Sequence, residues 1–81
     1  MKKVISLPRL SEQMKDGLVA SFRKAPGESF RRGEVLFEVE TDKVVCEIEA
    51  TEDGTVSRAL AEEGDTVKVG DGVVEIETKE A

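Results

Sequence analysis

The sequence predicts an all-β domain in which two small antiparallel sheets pack into a flattened barrel or sandwich with internal pseudo-twofold symmetry. Three observations predict it: a repeat at a shift of 37 positions, runs of alternating apolar and polar residues, and glycine turns at matching places in both halves. The shift lays residues 17–41 on 54–78 and pairs Gly17 with Gly54, Val19 with Val56, Gly27 with Gly64, Gly33 with Gly70, Glu38 with Glu75, Glu40 with Glu77 and Thr41 with Thr78. Paired glycines mark backbone positions that need either positive φ or the close approach of another chain in both halves.

Taken in order, an opening strand around Val4-Ile5 leads into a polar loop, residues 8–16, that carries Leu10 and Met14. Residues 18–22 read as the next strand, and Ala25-Pro26-Gly27-Glu28 and Arg32-Gly33-Glu34 as turns. Then Val35, Phe37, Val39 and Thr41 alternate with Leu36, Glu38 and Glu40, the period of a half-buried strand. Val44, Cys46 and Ile48 alternate in the same way with Val45, Glu47 and Glu49, the first set expected to face inward. Almost no linker separates these two strands, so Asp42 and Lys43 fall at the tip of a tight hairpin. The second half repeats the plan with a strand at 55–59, turns at 62–65 and 69–71, and a strand carrying Val74 and Ile76. Phe22, Phe30 and Phe37 are expected in the core, and Cys46 reads as a small buried apolar residue. The domain spans 1–78 with half-repeats of about 4–41 and 44–78, and 79–81 begin a linker or end the chain.

Composition narrows the function. The chain has 81 residues, 38% apolar and 37% charged, which suits one small domain with a thin core and no deep substrate cavity. It has no histidine, so the commonest triads and zinc sites are missing. A net charge of −6 disfavours phosphate backbones and hence nucleic acid as a partner. No apolar run approaches a membrane span, and the single cysteine cannot form an internal disulfide, which fits a reducing compartment. The carboxylates between Glu38 and Asp53 alternate along strands and lack the spacing of a calcium loop, so no metal site is expected. An isolated domain of this kind is expected to be a monomer and a substrate of other enzymes, with no catalytic residues of its own.

Lys43 stands out. It is the one base among residues 38–53, which carry seven carboxylates. That field favours its protonated form, the opposite of what a Schiff-base or general-base lysine needs. An exposed amine on a rigid turn suits modification by a ligase.

The run Glu40-Thr41-Asp42-Lys43-Val44, the opening from Leu7-Pro8-Arg9-Leu10 to Asp16-Gly17 and the paired Gly-Glu and Gly-Asp turns resemble the lipoyl domain of 2-oxo acid dehydrogenase complexes, within the biotinyl/lipoyl carrier family, over nearly the whole chain. The resemblance implies a barrel-sandwich hybrid fold with lipoic acid in amide linkage to Lys43. It implies that Glu40, Asp42, Val44, Gly27 and Gly54 position the lysine for the lipoylating enzyme. It also implies that the loop holding Leu10, Ser11, Glu12, Gln13 and Met14 lies beside the hairpin and is read by a partner. The function so implied is a swinging-arm carrier within a dihydrolipoamide acyltransferase. A thiamin diphosphate-dependent 2-oxo acid decarboxylase reductively acylates the lipoyl group, and an acyltransferase core passes the acyl group to coenzyme A. A dihydrolipoamide dehydrogenase then reoxidises the dithiol. Such a domain is expected in the cytoplasm of a bacterium or archaeon, or in the mitochondrial matrix of a eukaryote. Two alternatives stand beside this reading. A biotinyl carrier resembles a sequence with methionine on both sides of the lysine, where this chain has Asp42 and Val44. The other is an unmodified structural or adaptor barrel.

Overall fold

The computed structural model describes residues 1–41 and 44–78, and the notable sequence positions Asp42, Lys43 and 79–81 lie outside the described residues. Eight strands account for the regular structure: β1 (Lys2–Ser6), β2 (Asp16–Phe22), β3 (Ser29–Phe30), β4 (Val35–Glu40), β5 (Val45–Glu49), β6 (Gly54–Ala59), β7 (Thr66–Lys68) and β8 (Gly72–Thr78). They form two antiparallel four-stranded sheets, ordered β1-β8-β6-β3 and β5-β4-β2-β7. Each order maps onto the other through the repeat, so the two sheets are equivalent as expected.

Backbone hydrogen bonds between the halves close the sandwich. Val19 N–H donates to the Asp65 carbonyl and receives Gly64 N–H at its own carbonyl. In the other half Val56 N–H donates to the Glu28 carbonyl and receives Gly27 N–H. Val19 and Val56 are both almost fully buried, so each half seals its central strand with a turn from the opposite half.

The glycine pairs divide into the two classes that the alignment left open. Gly27, Gly33, Gly64 and Gly70 take φ of +92° to +95°, the left-handed region. Gly17 and Gly54 are instead places of close approach. A Cβ on Gly17 would lie 2.6 Å from Val39 Cγ1, and one on Gly54 would lie 2.6 Å from the Glu77 carbonyl oxygen.

The core contains Leu7, Phe30, Leu36, Phe37, Val39, Val73, Val74 and Ile76 among others. Leu36 corrects the simple alternation. It is buried beside Phe37, because the β4–β5 register slips between Val35 and Phe37 and two consecutive side chains turn inward. Val73 does the same in β8, where the β1–β8 register slips between Ile5 and Ser6. Three further expectations are corrected at the margins. Val44 is exposed and Cys46 only half-buried, because β5 is an edge strand covered on one side alone. Phe22 is half-buried, its ring tilted at 55° against Phe37 with centroids 6.3 Å apart. The pieces β3 and β7, two and three residues long, join turns that the sequence marks clearly.

Gly54→Ala is expected to destabilise by about 3 kcal/mol, because the new Cβ meets backbone that cannot yield. Gly64→Ala meets open space and costs only the left-handed backbone penalty of about 1–2 kcal/mol. Urea unfolding of the two variants checks the order, and equal losses would contradict it.

Candidate functional site

Strands β4 and β5 lead to the hairpin, and their last ladder pair is Glu40 with Val45. Beyond it Thr41 clamps Val44: both the Thr41 N–H, at 2.8 Å, and its hydroxyl, at 3.2 Å, donate to the Val44 carbonyl. The two positions between these residues are Asp42 and Lys43. The same clamp occurs in the other half, where the Thr78 N–H and hydroxyl donate to the Met1 carbonyl at 2.8 and 3.3 Å. The Thr41–Val44 clamp is thus the symmetry mate of the Thr78–Met1 clamp, on the opposite sheet.

A brace of polar side chains holds the strands below the hairpin. The Ser21 hydroxyl and the Arg23 guanidinium each donate to the Glu38 carboxylate at 2.7 Å, and Arg23 also lies 3.6 Å from Glu47. This network ties β2, β4 and β5 together. Its first effect is on Glu38, whose carboxyl is held below its ordinary range by the Ser21 hydrogen bond and then by Arg23. Arg23 is pushed further up by the same contact. Glu34 is also held down, by the Arg31 N–H and then by Lys24. The mate of Glu38 in the other sheet, Glu75, has looser partners among the described residues, Arg58 at 3.6 Å and Lys2 at 3.8 Å.

An open groove runs beside the hairpin. The structure brings Leu10, Ser11, Gln13 and Met14 of the first loop to one wall and Glu40, Thr41, Val44 and Cys46 to the other. Glu12 stands outside it, its carbonyl accepting from the Arg9 guanidinium at 3.0 Å. Leu10 and Val44 are exposed, while Met14 is buried. Gly27 and Gly54 sit elsewhere. Gly27 is in the turn that donates to Val56, and Gly54 lines a second groove with Met1, Phe30, Glu77 and Thr78. Sequence reasoning missed Thr41 as a clamp and Gly17 as a lining residue of the groove, although both stood in the repeat alignment. Among the described residues no group of histidine, cysteine or carboxylate side chains could hold a metal, and no helix is long and apolar enough to cross a membrane.

The site is thus a duplicated β-sandwich in which Thr41 clamps Val44 and a groove lies open alongside. Residues 3–76 match the model of the biotin/lipoyl family, described as biotin-requiring enzyme. The chain belongs to that family, as a carrier domain of the lipoyl type and not as a catalyst in its own right. It is 43% identical over 67 residues to the dihydrolipoyllysine-residue succinyltransferase component of the 2-oxoglutarate dehydrogenase complex of Bacillus subtilis (strain 168), covering 83% of this chain and 16% of that protein. To the component of the same name in Escherichia coli (strain K12) it is 48% identical over 63 residues, covering 78% of this chain and 16% of that protein. The chain therefore spans about a sixth of the length of these relatives. Among solved structures it is similar to the lipoyl domain of the 2-oxoglutarate dehydrogenase complex of Azotobacter vinelandii, with a TM-score of 0.78 and 39% identity, covering 93% of this chain and 95% of that one.

A depressed carboxyl contributes stability that is present above its ordinary value of 4.5 and is lost as pH falls through its lower folded value. Glu38→Gln is therefore expected to lower Tm by a constant amount above pH 4.5, with the two Tm curves converging in more acidic solution. A thermal-unfolding series across pH checks this, and a gap that widens toward acid would contradict it.

Proposed function

We propose that this domain presents Lys43 for amide attachment of lipoic acid and serves as the acyl carrier of a 2-oxo acid dehydrogenase complex, with the 2-oxoglutarate complex the first candidate. The observation that carries the reading is the Thr41–Val44 clamp, which fixes the sheet on both sides of the Asp42-Lys43 dipeptide while the groove alongside stays open. The likeness to succinyltransferase components and to a solved lipoyl domain supports the choice of prosthetic group. The residues present suit such a group: Leu10 and Val44 offer exposed apolar surface to an aliphatic arm, and the open groove leaves room for it to leave and return.

Held in amide linkage by Lys43, a lipoyl group would supply a redox-active disulfide whose reduced form can carry an acyl group as a thioester. The chain's own residues do the positioning. Thr41 and Val44 hold the base of the hairpin, and the Ser21–Arg23–Glu38 brace keeps the strands beneath it from shearing. Glu40, exposed where β4 ends, is in place to be read by the lipoylating enzyme together with Asp42 and the exposed Val44. Gly27 and Gly54 act at a distance, through the turn and the strand packing that set the shape of the sandwich. Exposed residues of the first loop, Leu10 to Gln13, provide the surface on which a thiamin diphosphate-dependent decarboxylase recognises its carrier. An acyltransferase core and a dihydrolipoamide dehydrogenase complete the cycle. Tethering then replaces diffusion, since a linked arm meets each active site at high effective concentration.

Coexpression with a lipoylating enzyme is expected to raise the intact mass by one lipoyl amide, and Lys43→Arg is expected to abolish the increase. An increment of one biotinyl amide, or a Lys43→Arg protein that is still lipoylated, would overturn the reading.

A further inference from the structure

The symmetry between the halves breaks at one place. From β2 onward the second half follows the first at a shift of 37, but β1 maps onto β5 at a shift of 43: Leu7 N–H donates to Asp71 as Ala50 N–H donates to Glu34, and Gly70 N–H donates to Leu7 as Gly33 N–H donates to Ala50. The difference is a six-residue insertion in the first loop, between Leu7 and Asp16.

The insertion is accommodated by an exchange of side-chain size. On the sheet β1-β8-β6-β3, Phe30 stands directly across from Gly54, and its Cζ fills the space over that glycine, 2.9 Å from where a Cβ would be. On the other sheet the residue across from Gly17 is Val67, which is too short to do this, and Met14 takes the place instead with Cε 3.3 Å from the Cβ position. Met14 is buried there, and its thioether sulfur accepts the Leu10 N–H at 3.2 Å, while its own N–H donates to the Ser11 carbonyl.

We propose that Met14, seated over Gly17 because position 67 is valine, is the positioning residue that fixes the inserted loop beside the lysine hairpin, and thereby sets how well the acyl-donating decarboxylase fits this carrier. Met14 is then an anchor under the recognition loop, and the exposed Leu10, Ser11 and Gln13 are the residues it presents. The inference rests on the carrier reading above for its functional half, and on packing alone for its structural half.

Val67→Phe tests it, because Phe30 shows that a phenyl ring fits across from the equivalent glycine. Met14→Ala empties the same seat without adding bulk, and Met14→Leu fills most of it. In Val67→Phe and Met14→Ala, amide exchange at Leu10 is expected to quicken about tenfold or more, with lipoylation unchanged. The KM for acylation of the lipoylated domain is expected to rise about tenfold with little change in kcat, because the loop must be ordered again on binding. Met14→Leu is expected to stay close to the parent in KM. Unchanged Leu10 exchange in both disruptive variants, or faster exchange with an unchanged KM, would overturn the proposal. If no 2-oxo acid decarboxylase acylates the parent protein, it is the carrier reading that falls, and Leu10 exchange still decides whether Met14 holds the loop.

Discussion

Val19 and Val56 each exchange two backbone hydrogen bonds with a turn from the opposite half, and the sandwich depends on that exchange. A four-stranded sheet of this size has too little apolar area to stand alone, and two of them face to face need their margins closed. The crossed bonds do this with the N–H and C=O of Val19 and of Val56, just where the short β2–β7 and β3–β6 ladders end. They also explain why glycine recurs at 27 and 64, where the turn must reach the far strand with φ above +90°.

From that closure follows the presentation of the hairpin. Because the halves are equivalent, the Thr41–Val44 clamp and the Thr78–Met1 clamp are the same structure used twice. One joins consecutive strands through Asp42 and Lys43, and the other joins the first residue of the chain to its last strand. The two clamps thus occupy equivalent places on opposite sheets. The tighter brace lies on the sheet of the Thr41–Val44 clamp: Glu38 accepts two hydrogen bonds at 2.7 Å, where its mate Glu75 has contacts of 3.6 and 3.8 Å.

Much of this was legible in the residues. The repeat gave the symmetry, the alternation gave the long strands, and the paired glycines gave both kinds of backbone constraint. What escaped did so for physical reasons. Leu36 lies in the apolar run Val35-Leu36-Phe37, where a bulge and a regular strand leave the same trace in sequence. Strands of two and three residues, such as β3 and β7, are too short to show a period. The correspondence of β1 with β5 was hidden because the inserted loop changes the shift. Gly54 is eleven residues beyond Lys43 in the chain, yet it pairs with Thr78 at the other clamp, since β5 carries the chain away from the hairpin. The Lys43 assignment came from the local run and its resemblance, while the groove and the Met14 seat needed coordinates.

The central claim is that a rigid duplicated frame carries its load at the 41–44 hairpin. Amide chemical shifts compared before and after enzymatic lipoylation test it most directly. The account predicts changes confined to residues 41–44 and the groove residues beside them, with β1, β6 and β8 unmoved. Changes centred on the groove at Met1, Phe30 and Gly54, or spread through both sheets, would contradict it.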